Sequence, residues 1–238
     1  IANNFVSVQT THQDATGILL SNSQHCDLVY NSVRTASQST YSAAFSVSNW
    51  SGYGDNRVLN NLFTNFGGGY AVRFDWGAAG SLSLMDYNDL YTNGNFLGYN
   101  NIDIANLAAW VTQTGLDSNS VSANPNFATN MDLYPSSAAI NNLGTPFAAV
   151  FDDIDGSIRD AVSPDMGAVE FTPPSTDMAV IEWVSPGGSS CGLGTSQFVT
   201  IKVYNNGLNA QSGFSLKYSI DGGQTFSLPE VAPGILAS

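Results

Sequence analysis

Residues 58–63 read VLNNLF: an apolar residue, two intervening positions, Asn, one intervening position, and another apolar residue. The same order occurs in IANNFV at 1–6, LVYNSV at 28–33 and MDYNDL at 85–90, so Asn4, Asn31, Asn61 and Asn88 follow one another at steps of 27, 30 and 27 residues. A fixed period of that size marks a stacked repeat. The pattern also occurs out of phase, at Leu97/Asn100/Ile102 and Val203/Asn206/Leu208, so the spacing carries the reading.

A second column keeps the period. Ile18, Phe45, Val72 and Leu97 step by 27, 27 and 25, with Leu20, Val47, Phe74 and Tyr99 two residues behind each. Apolar residues two apart share one face of a strand, so each repeat holds at least two short strands with a common inward face. A repeat of this length cannot close a core alone, whereas copies stacked at about 4.8 Å bury a continuous one. The expected fold is all-β: a right-handed parallel β-helix with coils of about 27 residues, the hand following from the crossover rule for parallel strands. Asn4, Asn31, Asn61 and Asn88 are assigned a structural role, since Asn tolerates left-handed backbone and can bond to the Asn of the next coil. Leu116/Asn119/Val121 fits one further coil.

The chain of 238 residues carries 6 Lys and Arg against 19 Asp and Glu, a formal charge of −13. That field repels nucleic acid and anionic membranes, and it disfavours polyanionic glycans unless calcium bridges them. Charged residues make up 11% of the chain, so Asn, Ser, Thr and Gln must solvate the surface, a composition common in secreted β proteins. No apolar run approaches a membrane span. Ile1 lies inside a repeat, and uncapped strand edges invite aggregation, so further domains of the same polypeptide are expected on both sides. Cys26 is expected on the inward face with Leu28, as a buried free thiol, and Cys191 in a different domain.

Residues 106–127 (NLAAWVTQTGLDSNSVSANPNF), 132–144 (DLYPSSAAINNLG) and 152–171 (DDIDGSIRDAVSPDMGAVEF) follow. This region resembles the C-terminal end of secreted bacterial right-handed parallel β-helix proteins of the pectin-lyase-like kind. The resemblance implies a fold and not an activity. It makes Arg159, Asp155 and Asp165 structural, with Arg159 tying acidic turn residues together where the last coil closes. A calcium site at Asp152, Asp153 and Asp155 is the rival reading.

The Pro-rich stretch 172–176 reads as a short stiff linker between a β-helix domain at 1–171 and a second domain at 177–238. There, DMAVIEWVSP (177–186), VTIKVYNNG (199–207) and YSIDGG (218–223) alternate in the manner of antiparallel strands and end in turns. The segment resembles immunoglobulin-like, adhesion-type domains that follow β-helices in Bacteroidetes-type surface proteins. Its 62 residues fall short of the usual length, so a partial, truncated β-sandwich is expected.

Chemistry has few candidate positions. Outward positions of the second column include Leu19, Ser46, Arg73, Gly98, Ser21, Ser48, Asp75 and Asn100, with Trp50, Tyr53 and Trp76 nearby in sequence. Aromatic faces stack on sugar rings, and Arg, Asp and Asn bind hydroxyls, so Trp50, Tyr53, Arg73, Asp75 and Trp76 are the candidate ligand-binding residues. The bland alternative is that these residues pack a loop and solvate a face. Asp86 and Asp89 fall in a different column from Asp75, which argues against the paired carboxylates of a glycosidase. The coils contain no Lys to serve as a lyase base, and neither His12 nor His25 has a matched partner. No catalytic residue and no metal or other cofactor is assigned, calcium being the one ion considered. The expected function is a non-catalytic rigid stalk or adhesin of a secreted or cell-surface protein, with a polysaccharide or a surface protein as partner. The alternative is a polysaccharide lyase or glycoside hydrolase.

Overall fold

The computed structural model describes all residues except 13, 38, 49–51, 76–77, 187–197, 233 and 238. Trp50, Trp76 and Cys191 lie outside the described residues. The chain divides into two compact units, Ile1–Thr172 and Pro173–Ser238. No helix among the described residues is long and apolar enough to cross a membrane.

The first unit is a parallel β-solenoid of about three turns. Its first coil is β1 (Phe5–Thr10), β2 (Thr16–Ser21) and β3 (Asp27–Val29); the second is β4 (Ser32–Ser37), β5 (Ala43–Ser48) and β6 (Asn56–Leu59). The third is β7 (Leu62–Asn65), β8 (Tyr70–Phe74) and β9 (Leu82–Asp86), and a partial fourth is β10 (Asp89–Thr92) and β11 (Gly98–Asn100). Stacking yields three sheets, ordered β1-β4-β7-β10, β2-β5-β8-β11 and β3-β6-β9. All pairings within these three are parallel. Inward residues from every coil form one core, in which Phe45 stacks on Phe63 at 4.7 Å between ring centroids.

Asn31, Asn61 and Asn88 are fully buried at the turn from the third sheet to the first. Each side-chain amide donates to the Asn carbonyl oxygen of the next coil: Asn4 to Asn31 at 2.8 Å, Asn31 to Asn61 at 2.9 Å and Asn61 to Asn88 at 3.0 Å. The backbone N–H of Asn4, Asn31 and Asn61 donates to the same oxygens. The left-handed residue of the turn is the one before: Asn3, Tyr30, Asn60 and Tyr87 have φ between 54° and 59°. Left-handed tolerance therefore does not explain the ladder Asn residues; coil-to-coil bonding does. The row ends on Asp117, whose Oδ1 accepts from Asn88 at 3.1 Å. Asn119 does not extend it, because its backbone and side chain both donate to Asp86 at 2.7 Å. Past β10 the fifth coil contributes one parallel bridge, Asp89 with Val121.

The far end of the core is closed by two elements. β12 (Asp103–Ile104) pairs antiparallel with β11, and helix α1 (Leu107–Thr114) lays Trp110 over Phe74 at 4.9 Å. Asn106 caps the helix start and Gly115, at φ 72°, ends it. Trp110 is fully buried and donates from Nε1 to Asp117 Oδ2 at 2.9 Å. A Cβ on Gly98 would come within 2.8 Å of the Trp110 ring, so this strand position needs Gly.

Residues 122–171 do not simply close the last coil, as expected from sequence. They run back along the solenoid as a strap over the outer face of the first sheet. Ala123 donates to Asp89, Phe127 lies 6.4 Å from Phe66, Asn130 O accepts from Ser7, and Tyr134 meets Phe5 edge-on at 5.3 Å. Further along, Thr145 exchanges two hydrogen bonds with the Asn60 side chain, and Asp152 O accepts from Asn3. Arg159 is 5% exposed, with its guanidinium 3.8 Å from the Tyr30 ring centroid. It donates to Asn3 Oδ1 at 2.9 Å and to the carbonyls of Asp152, Asp165 and Gly167. Its one carboxylate contact among the described residues is Glu170 at 3.6 Å, and with the carbonyls of Asp152 and Asp165 and the side chain of Asn3 it binds the strap to the first two coils.

The second unit is antiparallel. β13 (Met178–Ser185) pairs with β14 (Thr200–Asn205) across two register shifts. β15 (Gln211–Ser212), β16 (Ser215–Leu216), β17 (Glu230–Val231) and β18 (Ile235–Leu236) form the short pairs β15-β18 and β16-β17. Leu208 and Asn209 donate to the carbonyls of Pro174 and Ser175, so the expected linker is bound into this unit.

Candidate functional site

The outer face of the sheet β2-β5-β8-β11 carries the candidate residues. Alternation turns Val72 and Phe74 of β8 into the core and Arg73 outward. Arg73 Nε donates to Asp75 Oδ1 at 2.9 Å and its Nη1 to Tyr41 O at 3.1 Å. These side chains are 27% and 22% exposed, a half-buried pair reachable from outside. The Arg73 guanidinium also lies 5.9 Å from the Tyr99 ring centroid.

Tyr99 corrects the expected register. Gly98 pairs with Val72, Tyr99 with Arg73 and Asn100 with Phe74, so the fourth coil is displaced by one residue from the column read in sequence. Leu97 remains buried in the core, whereas Tyr99 is half-buried beside Arg73. Tyr70 lies 5.8 Å from Tyr99, ring to ring, and its hydroxyl donates to Asp103 Oδ1 at 2.6 Å. Burial, and then this bond to Asp103, push the Tyr70 phenol well above its ordinary range, so it stays protonated as a donor. Tyr41 is 60% exposed at the rim.

The arrangement therefore offers a guanidinium with unused donors, carboxylates as acceptors, and aromatic rings. It suits uncharged polar ligands with hydroxyl groups. Tyr41, Tyr70, Tyr99 and Asp103 were missed in sequence; the detectable signal was the 25-residue step to Leu97, short of the period by two. Tyr53 is exposed on the loop before β6, and the structure records no bond from it to Arg73 or Asp75. Ser46 is buried, whereas Leu19 and Ser21 are exposed.

The other acids considered from sequence lie apart from this face and are engaged in or buried by the fold. Asp86 holds Asn119, and Asp89 is fully buried, its acid pushed well above the ordinary range by burial. In the 152–155 turn, Asp153 Oδ1 accepts the N–H groups of Asp155 and Ser157, and Oδ2 accepts that of Glu170. Asp155 accepts the Tyr134 hydroxyl. Asp165 accepts the N–H groups of Asn142 and Phe171. These acids thus staple the strap, and among the described residues no three His, Cys, Asp or Glu converge as ligands for a metal ion. Cys26 is half-exposed and not inward, with Sγ 3.5 Å from Gln24 O. His25 meets Asp55 at 2.9 Å on the surface.

Compared with known proteins, the chain matches no family model, no curated protein and no solved structure.

Proposed function

We propose that this chain is a non-catalytic, rigid module of a secreted or cell-surface protein that binds neutral glycan on the outer face of β2-β5-β8-β11. The observation that carries the reading is the Arg73–Asp75 pair set among Tyr41, Tyr70 and Tyr99. Rings and fixed charged hydrogen-bonding groups together match the two faces of a sugar, apolar and hydroxylated. A net charge of −13 repels nucleic acid and favours an uncharged ligand. The resemblance of residues 106–171 to pectin-lyase-like β-helix proteins, and of 177–238 to immunoglobulin-like adhesion domains of Bacteroidetes-type proteins, supports an extracellular adhesin.

A glycan array and a product assay on the purified chain, with and without calcium, test this. Binding to a neutral glycan without turnover is expected, and Arg73→Ala should weaken it by about 10-fold or more. The unfolding temperature should stay within a degree or two, since a half-exposed pair contributes little. Glycan turnover, or equal binding by the variant, would overturn the reading.

A further inference from the structure

The outer face of the first sheet holds one basic side chain that the fold leaves unanswered. Arg34, on β4, is 7% exposed. Its guanidinium lies 5.1 Å from the Phe66 ring centroid, and its Nη1 is buried with no hydrogen-bond partner. The cross-strand neighbours are Ser7 on β1 and Thr64 on β7. Both are neutral, their hydroxyls donate elsewhere, to Asn130 O and Val33 O, and neither accepts a hydrogen bond from Arg34. Asp89, two strands away and two positions back in register, shares this face and keeps an Oδ2 without a partner, but it forms no ion pair with Arg34. Burial alone weakens the hold of Arg34 on its proton, and no acid acts in the opposite direction.

A buried guanidinium without a counter-charge is costly, and such groups are normally paired or neutralised; Arg cannot readily shed its proton. We propose that Arg34 is an anion site, which takes one small planar monoanion of the carboxylate or nitrate type against the Arg34–Phe66 stack. Planarity follows from the guanidinium fork, which receives two coplanar oxygens. Small size follows from the 7% exposure under the strap. The site lies on a different sheet from Arg73 and is independent of the glycan reading.

The test is the unfolding temperature of the chain in sodium formate against sodium fluoride at constant ionic strength, for the native protein, Arg34→Gln and Arg34→Met. Fluoride is strongly hydrated and non-planar-binding, so it serves as the control. Formate should raise the native unfolding temperature by about 2–4 °C and then saturate. Both variants should be indifferent to formate, and Arg34→Met in fluoride should unfold no lower than the native chain. An equal response in all three proteins, or none in the native one, would overturn the site. Should the variants fail to fold, crystals of the native chain soaked in sodium nitrate decide: flat trigonal density against the guanidinium supports the proposal, and a water there refutes it.

Discussion

The coils and the strap are held by opposite strategies. In the coils, one contact recurs: each ladder Asn repeats the bond of the one before, and the load is spread over Asn31, Asn61 and Asn88. In residues 122–171 no contact recurs, and Arg159 alone joins five groups, four from the last twenty residues of the strap and one from the first coil. A periodic structure takes its strength from position within the row, an aperiodic one from the identity of a few residues.

The sharpest way to break this contrast is to change position at fixed chemistry. Asn61→Leu should destabilise the solenoid by about 4 kcal/mol, because the N–H and side-chain amide of Asn31 both lose their acceptor in a buried setting. Asn4→Leu, at the exposed end of the row, should cost under about 1 kcal/mol. A denaturant titration followed by far-ultraviolet circular dichroism measures both, and equal losses would sink the positional argument.

Next in size, Arg159→Met should cost about 3 kcal/mol, since it leaves Asn3 and three carbonyls short of a donor. The damage should remain in the strap. Limited proteolysis should cut within 145–171 before any site in the coils, and simultaneous cleavage in both would show that they unfold as one.

The smallest effect follows pH. Burial raises Asp117, at the end of the ladder, and Asp165, in the strap, each to about 6, against the donors that favour the ionised form. Because the native state holds these protons more tightly than the unfolded chain, the stabilisation is complete below about pH 4 and is lost as pH rises through 6. Acidifying from pH 7 to 5 should therefore stabilise the first unit by about 1 kcal/mol for each acid. Asp117→Asn and Asp165→Asn should each remove their own share, and a stability that falls over this window would contradict the assignment.

These same contrasts explain what could be read in advance. Spacing located the coils, because stacking forces equivalent residues into register, and it located the Asn row. It did not find the left-handed residue, since two of the four are Tyr30 and Tyr87, whose type does not favour that conformation. It misplaced Tyr99, because the slip to Gly98 answers a tertiary demand, room for Trp110, that no local pattern contains. The course of the strap was hidden for a related reason. Its motifs identify turns, whereas its direction is decided by Arg159 meeting Tyr30 and Asn3, over 120 residues earlier in the chain. Of the candidate site, Arg73 and Asp75 were legible from alternation, and their tyrosine surroundings were not.

The ladder also has a consequence for the electrical polarity of the solenoid. Every side-chain amide in the row donates in the same direction, from Asn4 toward Asn88, so their dipoles align and add. The positive end of this array faces Asp117, whose carboxylate receives the last N–H together with the Ser120 hydroxyl and the Trp110 indole. An acidic group at the positive pole of aligned peptide dipoles stabilises the start of an α-helix. Here side chains, not backbone, build the pole, and it grows with each coil added to the stack.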